Sequence, residues 1–291
     1  MFSGSIVALV TPMDEKGAVD FKALVALVEW HLEQGTNAIV ALGSTGEGSL
    51  LTPEERLAVL RKVIDVVNGK IPVIAGSGEA STQVTLELTL AAQECGADAC
   101  LIVAPPYVRP TQEGLFQHYS YLAHHAAIPQ IVYNVPSRTA CDILPATLER
   151  LAGLPNIIGI KEATGNLERG REILQRCAER LDLYSGDDPT ALDLMAIGAK
   201  GVISITANVA PKAMQTLCAA ALTDRLNEAR QINEILAALH KAMIIEANPI
   251  PVKWALSQMK KIGPGIRLPL TVLDPSHHEA VRQAMITANV N

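Results

Sequence analysis

Lys161 closes the apolar run of Asn156-Ile-Ile-Gly-Ile-Lys-Glu-Ala-Thr-Gly165, and chemistry in this chain is most readily built around it. An ammonium drawn out of water is costly, so a lysine ending a buried strand favours the neutral amine, a nucleophile toward carbonyl carbon. The same decapeptide also permits a lysine whose stem follows the strand while its head reaches solvent. The residues at comparable positions elsewhere decide between the two.

Several apolar runs end in polar groups. Gly43-Ser44-Thr45-Gly-Glu47-Gly48 joins turn-forming glycines and exposed N–H groups to two hydroxyls. Alone it reads as a structural turn, and it matches neither a Walker loop nor a dinucleotide fingerprint, so a carboxylate is a better ligand than a nucleotide. Tyr107 and Tyr133 each read singly as core tyrosines. Pro136 stiffens the segment carrying Arg138, whose guanidinium suits either bidentate carboxylate binding or a surface ion pair. Ser185-Gly186-Asp187-Asp188 and Val202-Ile203-Ser-Ile-Thr206 supply backbone groups and an apolar wall. Asp187 and Asp188 could hold a metal, but Asp188 reads better as an N-cap before Pro189. His31, His118, His124, His125 and His240 fall in helical stretches, with His277 and His278 near the last one, so none ends a strand. A barrel metallohydrolase needs such ligands at strand ends, and no metal is expected.

The elements that must position these groups alternate. Strand candidates run Ser5–Pro12, Asn37–Gly43, Ile71–Gly78, Ala97–Pro105, Pro129–Pro136, Asn156–Ala163, Leu181–Asp188 and Gly201–Ala207. Most are continuous apolar stretches, the pattern of parallel strands covered on both faces. Helical patterns lie between them, at Phe21–Gln34, from Thr52, and at Thr82–Glu94, Gln112–His125, Ala146–Ala152, Leu167–Arg180 and Thr190–Ile197. Thr52-Pro-Glu-Glu55 reads as a capping box with proline at the first helical position. Eight such alternations predict an α/β fold, a (β/α)8 TIM barrel over residues 1–224. Ala213–Ala220 reads as the eighth barrel helix, and residues 225–291 read as a C-terminal helical extension packed on the barrel, with helices expected at Arg225–Ile245, Val252–Lys260 and His278–Ala288.

The 291 residues give ample chain for one large domain, and a formal charge of −6 argues against a nucleic-acid surface. Five cysteines without a C-x-x-C pair indicate neither a disulfide framework nor a zinc site, and a reducing cytoplasm fits them. The first residues lack a basic segment followed by an apolar one, and no apolar run is long enough to span a membrane.

Taken together, Gly43-x-Thr45-Gly-Glu47, Tyr133-Asn-Val-Pro-x-Arg138-Thr and Gly159-Ile-Lys161-Glu-Ala-Thr resemble the pyruvate-dependent class I aldolase family. The resemblance extends from Gly4-Ser-Ile-Val to Asn248-Pro-Ile-Pro-Val-Lys253-Trp. It implies a cofactor-independent enzyme in which Lys161 forms a Schiff base with pyruvate and Tyr133 moves protons, relayed by Ser44 and by Tyr107 from a neighbouring subunit of a homotetramer. Ser44 stands where the family usually has threonine. Thr45 and the backbone near Gly186 and Ile203 would hold pyruvate, and Arg138 the carboxylate of L-aspartate 4-semialdehyde. The product would be a hydroxylated cyclic dicarboxylate on the route to diaminopimelate and lysine. Sialic acid and keto-sugar-acid lyases share the lysine and tyrosine, but Arg138 favours a small carboxylated aldehyde. A non-catalytic barrel would be signalled by loss of Lys161 or Tyr133, and both are present. Some members are inhibited by lysine at a dimer interface. The corresponding positions here, Gly48, Ser49, Pro53, Arg56, Ala80, Val84 and Pro106, have lost most of that hydrogen-bonding capacity, and Arg56 adds a positive charge beside a cationic ligand, with Glu79 near in sequence as partial compensation, which implies insensitivity.

Overall fold

In the computed structural model, which describes residues 2–177 and 179–290, eight parallel strands close on themselves in chain order. The strands are β1 (Gly4–Ala8), β2 (Ala38–Ala41), β3 (Val73–Gly76), β4 (Ala99–Val103), β5 (Gln130–Asn134), β6 (Ile157–Glu162), β7 (Asp182–Ser185) and β8 (Gly201–Ser204). Seven lie inside their expected runs, trimmed where ladder pairing stops; β1 begins one residue before its run, at Gly4, which pairs with Gly201. Alternation splits their side chains between two cores. Ile6, Ala38, Val40, Ile74, Leu101 and Ile131 fill the barrel interior, whereas Val7, Ile39, Cys100, Ile102 and Val132 pack outward against helices.

The helices between strands are α1 (Phe21–Glu33), α2 (Pro53–Val67), α3 (Thr82–Glu94), α4 (Gln112–His125), α5 (Pro136–Thr139), α6 (Pro145–Leu151), α7 (Leu167–Cys177) and α8 (Ala191–Ala196), with α9 (Pro211–Leu222) following β8. Thr52 and Glu55 form the reciprocal capping box at the start of α2, as the sequence leads one to expect. The segment after Pro136 differs from its reading as a stiffened loop. Pro136 opens the single helical turn α5, where its fixed φ is already helical and its missing N–H is not needed.

Helices α10 (Leu226–Ala242), α11 (Ile250–Gln258) and α12 (His278–Thr287) complete the chain. Helix α10 packs on α9, α12 and α8 and also meets the short 3-10 turn Asp188–Thr190, so the extension reaches back to the end of β7. Among the described residues no helix is long and apolar enough to cross a membrane.

Candidate active site

Strand β6 does not alternate regularly. Gln130 pairs with Ile157 but Ile131 pairs with Gly159, so β6 carries one extra residue there. Ile157 packs in the outer core, Ile158 in the inner and Ile160 in the outer again. Unbroken alternation from Ile157 would turn residue 161 toward the helices; the bulge resets the phase and turns Lys161 inward. Lys161 pairs in register with Tyr133 on β5, and its Nζ sits 4.1 Å from the Tyr133 ring centroid. Lys161 is only 6% exposed and, among the described residues, has no carboxylate within ion-pair distance. The carboxylate next to it in sequence faces the other way. Glu162 accepts hydrogen bonds from Asn134 Nδ2 (3.0 Å) and Thr164 N (2.8 Å).

Backbone comes close to Lys161 because Gly186 has no side chain. A Cβ there would lie 2.8 Å from Lys161 Cε and 2.7 Å from Ala163 Cβ. Above this pair opens a cavity of about 480 Å³ at the C-terminal ends of the strands, lined by Ser44, Thr45, Tyr133, Arg138, Lys161 and Gly186 among others. A larger concavity of about 670 Å³ lies at the opposite end, around Gly153–Pro155 and Leu181–Leu183. It contains neither Lys161 nor Tyr133, and chemistry rather than size singles out the smaller one.

The extension supplies part of the site. Asn248 Nδ2 donates to Thr45 Oγ1 (2.9 Å), and its carbonyl accepts from Arg138 Nη2 (3.1 Å), so one residue ties together both carboxylate-binding candidates. The glycine-rich loop is pinned from beneath. Glu47, at a left-handed φ of 54°, pairs with buried Lys253, and its second oxygen accepts from Arg267 N at 3.0 Å. Gly48 is obligatory here, since a Cβ would stand 2.0 Å from the Leu42 carbonyl oxygen.

Most of the expected residues line the cavity; Tyr107 and Ile203 do not, and the N-cap lies one residue earlier than expected. Tyr107 points away from the cavity, 91% exposed and held at a φ of 72° that a bulky residue rarely adopts. Ile203 packs in the barrel interior beneath the cavity, and it is Ile205 that lines the cavity wall. The N-cap is Asp187 rather than Asp188: Asp187 Oδ2 accepts from Thr190 N (3.2 Å) and Oγ1 (2.6 Å). Asp188 instead reaches the turn that follows β8, where its Oδ2 accepts from Ile205 N (2.9 Å) and Thr206 N (3.0 Å). The shift by one residue follows from the 3-10 turn, which Asp188 itself begins. His240 and Asn248 also line the cavity. Their spacing in sequence carries no signal for this, because the extension folds back over some 200 residues of chain.

Among the described residues no three His, Cys, Asp or Glu side chains converge as metal ligands. What the arrangement offers is a buried amine, a phenol against it, hydroxyls, and a guanidinium at the rim. Such a set can form an imine with a ketone and move protons around it.

Comparison with known proteins agrees with this chemistry. Residues 1–288 match the model of the dihydrodipicolinate synthetase family. The 4-hydroxy-tetrahydrodipicolinate synthases of Stutzerimonas stutzeri and Pseudomonas aeruginosa are 59% and 58% identical, each over 98% of both chains. The crystal structure of a chloride-inhibited dihydrodipicolinate synthase from Acinetobacter baumannii, complexed with pyruvate, superposes with a TM-score of 0.99 at 51% identity over 100% of both chains. Bulged strand, buried amine and full-length similarity lead to one conclusion: the chain belongs to the dihydrodipicolinate synthetase family.

Proposed function

We propose that this enzyme condenses pyruvate with L-aspartate 4-semialdehyde through an imine on Lys161, giving 4-hydroxy-tetrahydrodipicolinate for diaminopimelate and lysine synthesis. The observation that carries the reading is the buried, carboxylate-free Lys161 amine 4.1 Å from the Tyr133 ring on the cavity floor. Lys161 Nζ attacks the ketone carbon of pyruvate and water leaves. The protonated imine then draws electrons from the methyl group, which loses a proton to become an enamine carbon. That carbon attacks the aldehyde of the second substrate, whose oxygen takes up a proton. The substrate's amino group finally displaces Lys161 as the ring closes.

Tyr133 moves these protons and Thr45, with the Gly186 backbone, holds the pyruvate carboxylate; pyruvate as the first substrate is supported by the pyruvate complex of the Acinetobacter relative. Arg138 binds the carboxylate of the aldehyde substrate. Ser44 lines the cavity beside Tyr133, and Tyr107 stands exposed on its loop, suited to complete the relay in a neighbouring subunit. We therefore place the chain in a homotetramer, a dimer of dimers. The five free cysteines suit a reducing cytoplasm.

The test is borohydride reduction in the presence of pyruvate, followed by peptide mass mapping. One reduced pyruvyl group on the Lys161 peptide is the expected result. Label on another residue, or none, would remove the mechanism.

A further inference from the structure

One wall of the cavity holds hydrogen-bonding capacity that the chain leaves unused. Asp188 and His240 meet there through Thr206: its N–H donates to Asp188 Oδ2 (3.0 Å), and its hydroxyl shares a hydrogen bond with His240 Nδ1 (2.9 Å). Asp188 is 7% exposed and His240 2%, and both line the cavity. Yet among the described residues Asp188 Oδ1 and His240 Nε2 are buried without a partner; the other cavity-lining atom in that state is Asn248 Oδ1, a single amide oxygen on the residue that holds Arg138. Unpaired polar atoms this deep are costly, and beside a cavity they point to a ligand group that completes them.

The position of this wall limits what the group can be. It begins at Gly186, which touches Lys161, while Arg138, Asn248 and Thr45 are tied together elsewhere in the cavity by their own hydrogen bonds. Cationic and hydroxyl donors therefore form one cluster, suited to carboxylates. A carboxylate and an imidazole form the other, on the wall that starts at Gly186 beside Lys161. Under the reaction proposed above, on which this inference rests, the second substrate brings an ammonium that must find acceptors, approach the imine carbon and give up a proton before it can attack.

We infer that Asp188 and His240 form the subsite that recognises the amino group of the aldehyde substrate and takes its proton before ring closure. Asp188 Oδ1 accepts from the ammonium and holds it beside Lys161. One N–H bond of the ammonium breaks and its proton passes to His240 Nε2, with Nδ1–H donating to Thr206. The freed electron pair forms a bond to the imine carbon. A second proton moves from that nitrogen to Nζ as the bond from carbon to Nζ breaks, its pair staying on Nζ. Lys161 leaves as the neutral amine, and His240 returns its proton to solvent. Burial holds His240 below the ordinary histidine range, with Asp188 and Asp187 opposing, so the imidazole is neutral and able to accept.

The experiment uses the full-length enzyme, Asp188→Asn and His240→Asn, the latter chosen because asparagine can keep the bond to Thr206. Each is given pyruvate with L-aspartate 4-semialdehyde or with succinate semialdehyde, the same aldehyde without its amino group, and reduced with borohydride. Pyruvate alone should label Lys161 in both variants as in the parent. Asp188→Asn should raise KM for the amino aldehyde on the order of 10- to 100-fold and leave inhibition by succinate semialdehyde unchanged. His240→Asn should lower kcat on the order of 10²- to 10⁴-fold, and the heavier condensed adduct should build up on Lys161. Equal effects on both aldehydes, no build-up in His240→Asn, or loss of the pyruvyl label in a variant alone would overturn the inference. Loss of that label in the parent enzyme would instead overturn the reaction on which it rests.

Discussion

Two lysines are buried among the described residues, and their surroundings are opposite. Lys253 is 2% exposed and Lys161 6%, so burial hardly distinguishes them. Their partners do. Lys253 Nζ lies against the Glu47 carboxylate, where burial lowers its pKa while the charge of Glu47 works the other way and keeps the ammonium in place. Lys161 faces an aromatic ring, and the nearest carboxylate in sequence is turned to the far side of its strand and occupied there. A buried lysine becomes a nucleophile when nothing nearby fixes its proton; paired with a carboxylate it becomes a tie between distant segments. The tie matters to the site because Glu47 belongs to the loop carrying Ser44 and Thr45. Arg267 reinforces it, donating its N–H to Glu47 and its guanidinium to Glu55 at 2.7 Å.

Substitutions at the two lysines should therefore separate chemistry from stability. Lys161→Ala should cost on the order of 10⁴-fold or more in turnover and abolish borohydride labelling, while the midpoint of thermal unfolding holds or rises, since an unpaired buried amine is lost. An active Lys161→Ala enzyme would end the comparison at once. Lys253→Met should lower stability by about 3–5 kcal/mol in urea or guanidinium unfolding, because Glu47 is left buried and unpaired. Adding Glu47→Gln should recover much of that loss. If Lys253→Met proves as stable as the parent, or if it alone stops pyruvate labelling, Lys253 is something other than a tie.

Arg138 sharpens the comparison from the side of the second substrate. It is held at the rim by the Asn248 carbonyl and stands apart from both lysines. Arg138→Ala should weaken use of L-aspartate 4-semialdehyde by about 2–5 kcal/mol of transition-state binding and spare the pyruvate adduct. Trapping that falls in parallel with turnover would show that the guanidinium serves pyruvate instead.

What the sequence made legible was whatever is local. The bounds of α3 and α4 follow from amphipathic periodicity, the capping box of Thr52 and Glu55 from its spacing, and the strands from β-branched runs between helices. Lys161, Thr45 and Arg138 stood out because each ends or follows such a run, whereas Tyr133, inside its run, was singled out only by the family resemblance. The β6 bulge is not local in this sense. It depends on how β5 and β6 register, and without it the inward turn of Lys161 has no basis in alternation. The ties across 203 and 206 residues, Asn248 to Thr45 and Lys253 to Glu47, have no periodicity to betray them. His240 was visible only as a histidine within a helix, because its contact with Thr206 depends on α10 folding back over β8.

The smallest expected effect is that of free lysine on the rate. Sequence alone makes Arg56 a stray positive charge that would repel a cationic ligand; the structure gives a different reason for the same outcome. Arg56 is buried, with Nη1 donating to the Gly48 carbonyl (2.9 Å) and to Glu79 Oε1 (3.0 Å) and Nη2 donating to the Gly76 carbonyl (2.9 Å). Its charge is already compensated, and so is that of Glu79, the carboxylate best placed by sequence to receive an ammonium. Beside them a cavity of about 250 Å³ is walled largely by Leu42, Pro53, Leu57, Leu60, Val84 and Leu88, and the carboxylate in its lining, Glu87, already accepts from Gln83 Nε2 at 3.0 Å. An ammonium entering it would give up water for hydrocarbon, and detaching Glu79 to greet it would strand Arg56 in a buried site. Initial rates at fixed pyruvate and L-aspartate 4-semialdehyde should stay flat across a titration to roughly millimolar lysine, the range in which a site that kept its polar groups would still respond. Calorimetry should show no saturable heat. Saturable inhibition with a submillimolar midpoint would mean that lysine binds through other residues, and Glu79→Gln would then tell whether the Arg56 pair is opened: a lost response points to Glu79 as the ammonium's partner, an unchanged one places the site elsewhere.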